Sequence, residues 1–270
     1  MDLQAEYDNR ARVPEHPAHI AAWQRDAAAW REACPHAELD LAYGSRVRER
    51  LDLFHPGAGL KPDAAPMAMF IHGGYWQALD RSFASHGARG LNGQGVAVAV
   101  PSYDLCPFVP LSTIVAQLRA AAMFLWRRHQ RRLLAIGHSA GGHLAAMLLA
   151  TDWPGLSPDL PPGLVAAALP ISGVFELEPL LQTTIGAPLG LDAATARALS
   201  PRFLLSPGRP LHCLVGGAES DEFLRQSRDL AAAWGGGYEA TPGDNHFTVI
   251  APLADPASRL VAKALSLLPD

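Results

Sequence analysis

Short apolar runs recur along the chain, separated by stretches with helical periodicity. MAMFI (67–71), VAVAV (96–100), LLAIG (133–137), VAAALPI (165–171) and LHCLVG (211–216) are nearly continuous, and RERLDLF (48–54) alternates. A continuous apolar run is what a strand covered on both faces requires, as in a parallel sheet under two layers of helices. AELDLAYG (37–44) ahead of RERLDLF predicts an early antiparallel pair. Helices are predicted over about 82–93, 112–129, 141–151, 222–234 and 247–266. Strand and helix in alternation predict one α/β domain over residues 1–270, with a mostly parallel sheet and helices on both faces.

Two stretches depart from this rhythm. Residues 1–36 are helix-prone, and Ile20, Trp23, Ala27 and Trp30 recur at helical spacing. One apolar face predicts a helix packed on the body of the domain; the alternatives are a cap over a site or a contact with a neighbouring subunit. Residues 173–210 carry Pro179, Pro188, Pro201, Pro207 and Pro210 and predict an excursion from the sheet, either a lid or pocket wall or plain connecting structure.

Composition narrows the functional classes. Of 270 residues, 49% are hydrophobic and 18% charged, which is ordinary globular composition with ample core material. A net charge of −4 selects for neither nucleic acid nor an anionic membrane, and the RRHQRR cluster (127–132) reads as the solvated end of a helix. Cys34, Cys106 and Cys213 are sparse and odd in number, without metal-ligand spacing, so neither a disulfide framework nor a metal is expected. There is no apolar h-region at the start and no run long enough to span a membrane. The expectation is a cytoplasmic protein acting on a small molecule, its oligomeric state left open with a homodimer among the options.

The strongest local signal is LLAIGHSAGGHLAAMLLA (133–150), in which an apolar strand runs into Gly137-His138-Ser139-Ala140-Gly141 and then a helix-forming run. G-x-S-x-G between strand and helix lifts a serine hydroxyl clear of the sheet on a strained turn. Side chains at 137 and 141 would collide with neighbouring backbone. The N–H of Ala140 opens a helix, where backbone donors are free.

A serine hydroxyl needs an adjacent base. Where this turn is used, the chain order is serine, acid, histidine. His143, His212 and His246 follow Ser139. His143 lies one turn along the same helix and predicts a packing or pocket-floor residue. His212 lies inside a strand and predicts a satisfied core histidine. His246, in the turn-rich PGDNHFTV (242–249), is the expected general base. The acid is expected just after LHCLVGG, in AESDEF (218–223): Asp221 first, Glu219 second, with Glu222 also available. Each of these also suits a helix N-terminus. Upstream, MAMFIHGGYW (67–76) supplies a strand and a glycine loop. Gly73 and Gly74 can bring backbone N–H groups to a substrate oxygen, with His72 as a prop for the loop.

Together HGGYW, GHSAGGHL, AESDEFLRQS and NHFTV resemble the kynurenine formamidase (arylformamidase) branch of the α/β-hydrolase superfamily, itself related to the hormone-sensitive-lipase-like esterases. EYDNRARVP (6–14) and YDLCP (103–107) fit the same group, so the resemblance spans nearly the whole chain. It implies Ser139 as nucleophile, Asp221 as acid, His246 as base, and Gly73, Gly74 and Ala140 as oxyanion donors. It also implies hydrolysis of N-formyl-L-kynurenine or a similar aryl formamide without a cofactor. In lipase-like relatives a third glycine commonly follows the first two; here it is Tyr75. Tyr75, Trp76, Phe175 and Phe247 are candidate walls for an aromatic leaving group. The alternatives are a carboxylesterase of short-acyl specificity and an inactive α/β-hydrolase serving as a binding module.

Overall fold

The computed structural model describes residues 1–57 and 65–269. Eight strands form one sheet: β1 Ala37–Ala42, β2 Arg50–Phe54, β3 Met67–Ile71, β4 Ala97–Pro101, β5 Leu133–His138, β6 Val165–Ile171, β7 His212–Gly216 and β8 Gly237–Thr241. Their order is β1-β2-β4-β3-β5-β6-β7-β8, with β1/β2 and β2/β4 antiparallel and every later pair parallel. The helices are α1 Leu3–Tyr7, α2 Asn9–Arg12, α3 His16–Ala33, α4 Arg89–Gly93, α5 Leu111–His129, α6 Ala140–Leu149, α7 Trp153–Leu156, α8 Ala193–Ala198, α9 Asp221–Trp234 and α10 Arg259–Leu265. This is the α/β-hydrolase fold.

The continuous apolar runs feed two cores at once. Met67, Met69 and Ile71 of β3 enter one cluster with Leu118 and Leu125 of α5 and Leu144 and Leu148 of α6. Ala68 and Phe70, between them in sequence, enter the opposite cluster with Leu91 of α4 and Leu260 and Val261 of α10. Side chains alternate across a strand, so only a strand apolar at every position can serve both. Each large side chain so buried stabilises the fold by about 1.5–3 kcal/mol. In α5, Leu111, Ile114, Val115, Leu118, Ala122 and Leu125 form the buried stripe, and Arg127, Arg128 and His129 occupy the solvated last turn.

Two predicted helices are broken. Residues 81–88 form 3₁₀ turns before α4, and Pro252 and Pro256 confine the last helix to α10, after a 3₁₀ turn at 251–254. β8 is absent from the sequence reading, because GYEAT has no apolar run; this half-exposed edge strand exists through its ladder with β7. Residues 173–210 form short turns and α8, with Leu180, Leu189 and Ala196 buried in the main core.

Candidate active site

Ser139 follows β5 immediately and adopts φ 57°, ψ −120°, a conformation rarely tolerated by residues other than glycine. The turn is held tight on both sides. A Cβ at Gly137 would meet the Gly141 carbonyl oxygen at 2.0 Å, and one at Gly141 would meet the Ile71 carbonyl oxygen at 2.1 Å. Both glycines are therefore required where they were expected.

His246 sits in the loop after β8. The ladder of β8 on β7 brings this loop beside the loop that leaves β7. Gly217 N–H donates to the Thr241 carbonyl (2.7 Å) and Ala218 N–H to that of Asp244 (2.9 Å). Close approach demands Gly216, whose Cβ would lie 2.4 Å from the Asp244 carbonyl oxygen. The consequence is a buried hydrogen bond in which His246 Nδ1–H donates to Glu219 Oε2 at 2.6 Å. Glu219 Oε1 accepts from Gly216 N–H at 2.8 Å and from the Ser172 hydroxyl. Nε2 is then the ring nitrogen left to exchange a proton.

The carboxylate that meets His246 is thus Glu219, two residues before the Asp221 expected there. Asp221 is exposed at the first position of α9, next to the Ser220 cap, where its charge complements the helix N-terminus. Glu219 lies in the tight turn before that cap, its N–H bonded to the Gly216 carbonyl, and its longer side chain reaches the imidazole. Glu222 is turned the other way and accepts from the Tyr7 hydroxyl at 2.7 Å.

The glycine loop after β3 packs directly on Ser139. A Cβ at Gly73 would stand 2.9 Å from that of Ser139, so this glycine keeps open the space beside the hydroxyl. Gly74 has φ +103° and a Cβ there would strike the Ala78 carbonyl oxygen at 2.4 Å. Among the described residues, the N–H groups of Gly73, Gly74 and Ala140 make no hydrogen bond with another part of the chain, so these donors are free for a substrate oxygen. His72 props the loop as expected: Nδ1–H donates to the Gly73 carbonyl at 2.8 Å and the ring stacks on Tyr103 at 4.2 Å. Burial pushes its pKa down to about 4, which keeps it neutral. His138 was not singled out by the sequence reading. It is buried, donates from Nε2 to the His246 carbonyl at 2.8 Å, and so braces the His246 loop from the turn that carries Ser139. Its place between Gly137 and Ser139 was the available signal. His143 is a packing residue, bonded to the Leu199 carbonyl at 2.7 Å and edge-on to Trp76. His212 is at the start of β7, half-buried and facing Glu239 of β8, so it sits at the end of a strand and not in the core.

Ser139, His246, Gly73 and Gly74 line one small cavity, about 50 Å³, with Asn9, Arg10, Ile20, Trp23, Tyr75, Leu79, His138 and Phe247. Of the four aromatic residues expected there, Tyr75 and Phe247 line this cavity. Trp76 does not: at φ +57° its ring turns fully into the core. Phe175 does not either, because it is buried against Gly173. The excursion at 173–210 contributes no lining residue, so it is not a wall of this cavity. The N-terminal segment is. Ile20 and Trp23 face the cavity while Trp30, on the same helix, packs on Phe54. Tyr75 fastens this segment to the glycine loop, donating from its hydroxyl to the Tyr7 carbonyl at 2.5 Å and accepting from Asn9 Nδ2 at 3.3 Å. Larger clefts lie under α3 beside His86 and beside Gly208–His212, and neither is lined by a serine or cysteine.

The chain matches known proteins over this same machinery. The family model BD-FAE matches residues 51–153, from β2 to the start of α7. A kynurenine formamidase from Danio rerio is 31% identical over 251 residues, 88% of this chain and 84% of the relative. Among solved structures, a candidate thioesterase from Silicibacter sp. TM1040 is 37% identical, with a TM-score of 0.89 over 97% of this chain and 98% of that one. Esterase B from Lactobacillus rhamnosis shares the fold, at 22% identity and a TM-score of 0.70 over 96% and 93% of the two chains. A serine on a strained turn, a carboxylate-held histidine and a glycine loop, in that spatial relation and with relatives of this closeness, belong to a hydrolase, and the chain is a member of the kynurenine formamidase family of α/β-hydrolases.

Proposed function

We propose that the protein hydrolyses a small aryl formamide such as N-formyl-L-kynurenine to the free amine and formate, through Ser139, His246 and Glu219. Ser139 Oγ attacks the formyl carbon as His246 Nε2 takes the hydroxyl proton. Glu219 holds the ring's other nitrogen and stabilises the imidazolium. The oxyanion accepts hydrogen bonds from the N–H groups of Gly73, Gly74 and Ala140, each worth about 3 kcal/mol in the transition state. The C–N bond then breaks, and His246 returns its proton to the departing amine nitrogen. Water attacks the formyl ester and gives a proton to His246; the C–O bond to Ser139 then breaks as His246 returns that proton to Oγ, releasing formic acid, which ionises to formate in solvent.

The observation that carries this reading is the size of the space beside Ser139. A Cβ at Gly73 would already stand 2.9 Å from that of Ser139, and this crowding suits an acyl group of very few heavy atoms. The aromatic sides offered by Tyr75, Trp23 and Phe247 suit a flat leaving group. A second reading, hydrolysis of short-acyl esters or thioesters, draws support from the 37% identity with the candidate thioesterase. Comparing kcat/KM for N-formyl-L-kynurenine and p-nitrophenyl acetate decides between them, with Ser139→Ala as the control that abolishes both. A large preference for the ester with negligible formamide turnover would overturn the formamidase reading.

A further inference from the structure

α2 carries two arginines two residues apart, and they are used differently. Arg12 is committed to the fold: its guanidinium pairs with Glu6 at 3.0 Å and also donates to the Ala5 carbonyl. Arg10 is the one guanidinium among the residues that line the Ser139 cavity, and it is exposed. Among the described residues no carboxylate pairs with it and no carbonyl accepts from its side chain. The neighbouring acid, Asp8, is occupied as the cap of α2, where it accepts from Ala11 N–H at 3.0 Å. Nor is Arg10 remote from the ring-binding wall, since its charge acts on the Tyr75 hydroxyl and opposes the upward push of burial there. The segment that holds it is anchored just before it. Tyr7 is bonded to Glu222 and Gln226 of α9, and Asn9 to Tyr75.

We infer that Arg10 binds an anionic group, a carboxylate, on the leaving-group portion of the substrate, and that this selects carboxylate-bearing aryl substrates over neutral ones. The inference rests on the hydrolase reading above. The small space beside Ser139 and Gly73 takes the acyl group, so the leaving group must extend past Tyr75 and Phe247 toward the exposed side where Arg10 stands. A guanidinium forms paired, charge-assisted hydrogen bonds with a carboxylate, and a free one on a preordered segment loses little entropy in doing so. The aromatic wall tolerates many rings; the cation chooses among them by charge.

The test uses two pairs of substrates that differ in a leaving-group carboxylate: N-formyl-L-kynurenine against formanilide, and 3-acetoxybenzoate against phenyl acetate. In Arg10→Gln, KM for N-formyl-L-kynurenine is expected to rise about 10- to 100-fold while kcat changes by less than about threefold. Arg10→Lys recovers part of the loss, because the charge remains without the fork. Arg12→Gln, which removes equal charge from the same helix, leaves the discrimination intact. Equal losses on the charged and neutral members of a pair, or no loss on the charged one, would overturn the inference. If the wild type cleaves the esters and neither formamide, the formamidase reading fails, and Arg10 is judged on the ester pair by the same criterion.

Discussion

Glu219 and Asp52 are both carboxylates whose side chains have no solvent exposure, and they are buried to different ends. Asp52, in the middle of β2, pairs with Arg31 of α3 at 3.0 Å and with Arg81 at 3.2 Å, and accepts from Asp40 N–H at 2.9 Å. It ties the N-terminal helix, the sheet and the segment after β3 together. Among the described residues, Glu219 has no lysine or arginine partner. A backbone N–H, a serine hydroxyl and one imidazole satisfy it. Neutral donors fill its lone pairs without cancelling its charge, so its field remains available to an imidazolium that forms during turnover. A carboxylate cancelled by two guanidiniums can only cross-link.

The sharpest break of this comparison is at the acid itself. Glu219→Gln is expected to lower kcat by about 10³- to 10⁴-fold with the fold retained, because the amide cannot hold the same tautomer or stabilise the imidazolium. Asp221→Asn is expected to cost less than about threefold, since an exposed charge at a helix start is worth only ~0.3–1 kcal/mol of stability. Steady-state kinetics on both variants decide it, and a larger loss at Asp221 would return the acid to that position.

The next effect separates stability from catalysis by pH. Burial pushes His72, His86 and His143 down to about 4 from 6.5. A histidine whose pKa falls on folding stabilises the fold fully above its unfolded pKa, and this is lost as pH falls toward the folded value. Unfolding free energy is therefore expected to drop as pH goes from 6.5 to about 4, by ~3 kcal/mol at most for each histidine. Urea unfolding at stepped pH measures it; a flat profile over that window would contradict the burial of neutral rings.

Asp52 gives the smallest effect and runs the other way. Burial pushes its carboxyl up to about 6, with Arg31 pulling it back. A raised carboxyl contributes most below its unfolded pKa and loses this as pH rises through the folded value. The stability difference between the wild type and Asp52→Asn is thus expected to shift in favour of the variant by at most ~3 kcal/mol as pH rises from 4 to 7. Its kcat should stay within about twofold of the wild type, which separates it from Glu219.

Much of this was legible along the chain. The five continuous runs became β3 to β7 with shifts of no more than one residue at most ends, because a strand buried on both faces has no other composition available. Ser139 was marked by glycines that the turn needs on both sides of it, and His246 by elimination among three candidates. What failed did so for stated reasons. GYEAT carries no period of its own, and the helix expected over 247–266 is interrupted by prolines. Trp76 and Phe175 are aromatic in the right loops, but a ring's direction follows backbone angles such as the +57° at Trp76, which composition does not carry.

By itself the sequence determined the layered sheet, the nucleophile's turn and the glycine loop, because each is a local pattern whose residue types are dictated by burial or by backbone crowding. Only the tertiary structure decided that Glu219, and not Asp221, meets the histidine. That choice depends on how β8, a strand with no signal of its own, pulls the His246 loop against the turn after β7. Only the tertiary structure, too, set α2 and α3 against the cavity and left Arg10, among the described residues, without a partner beside it. Whether a charge is spent on the fold or left free depends on residues far apart in the chain.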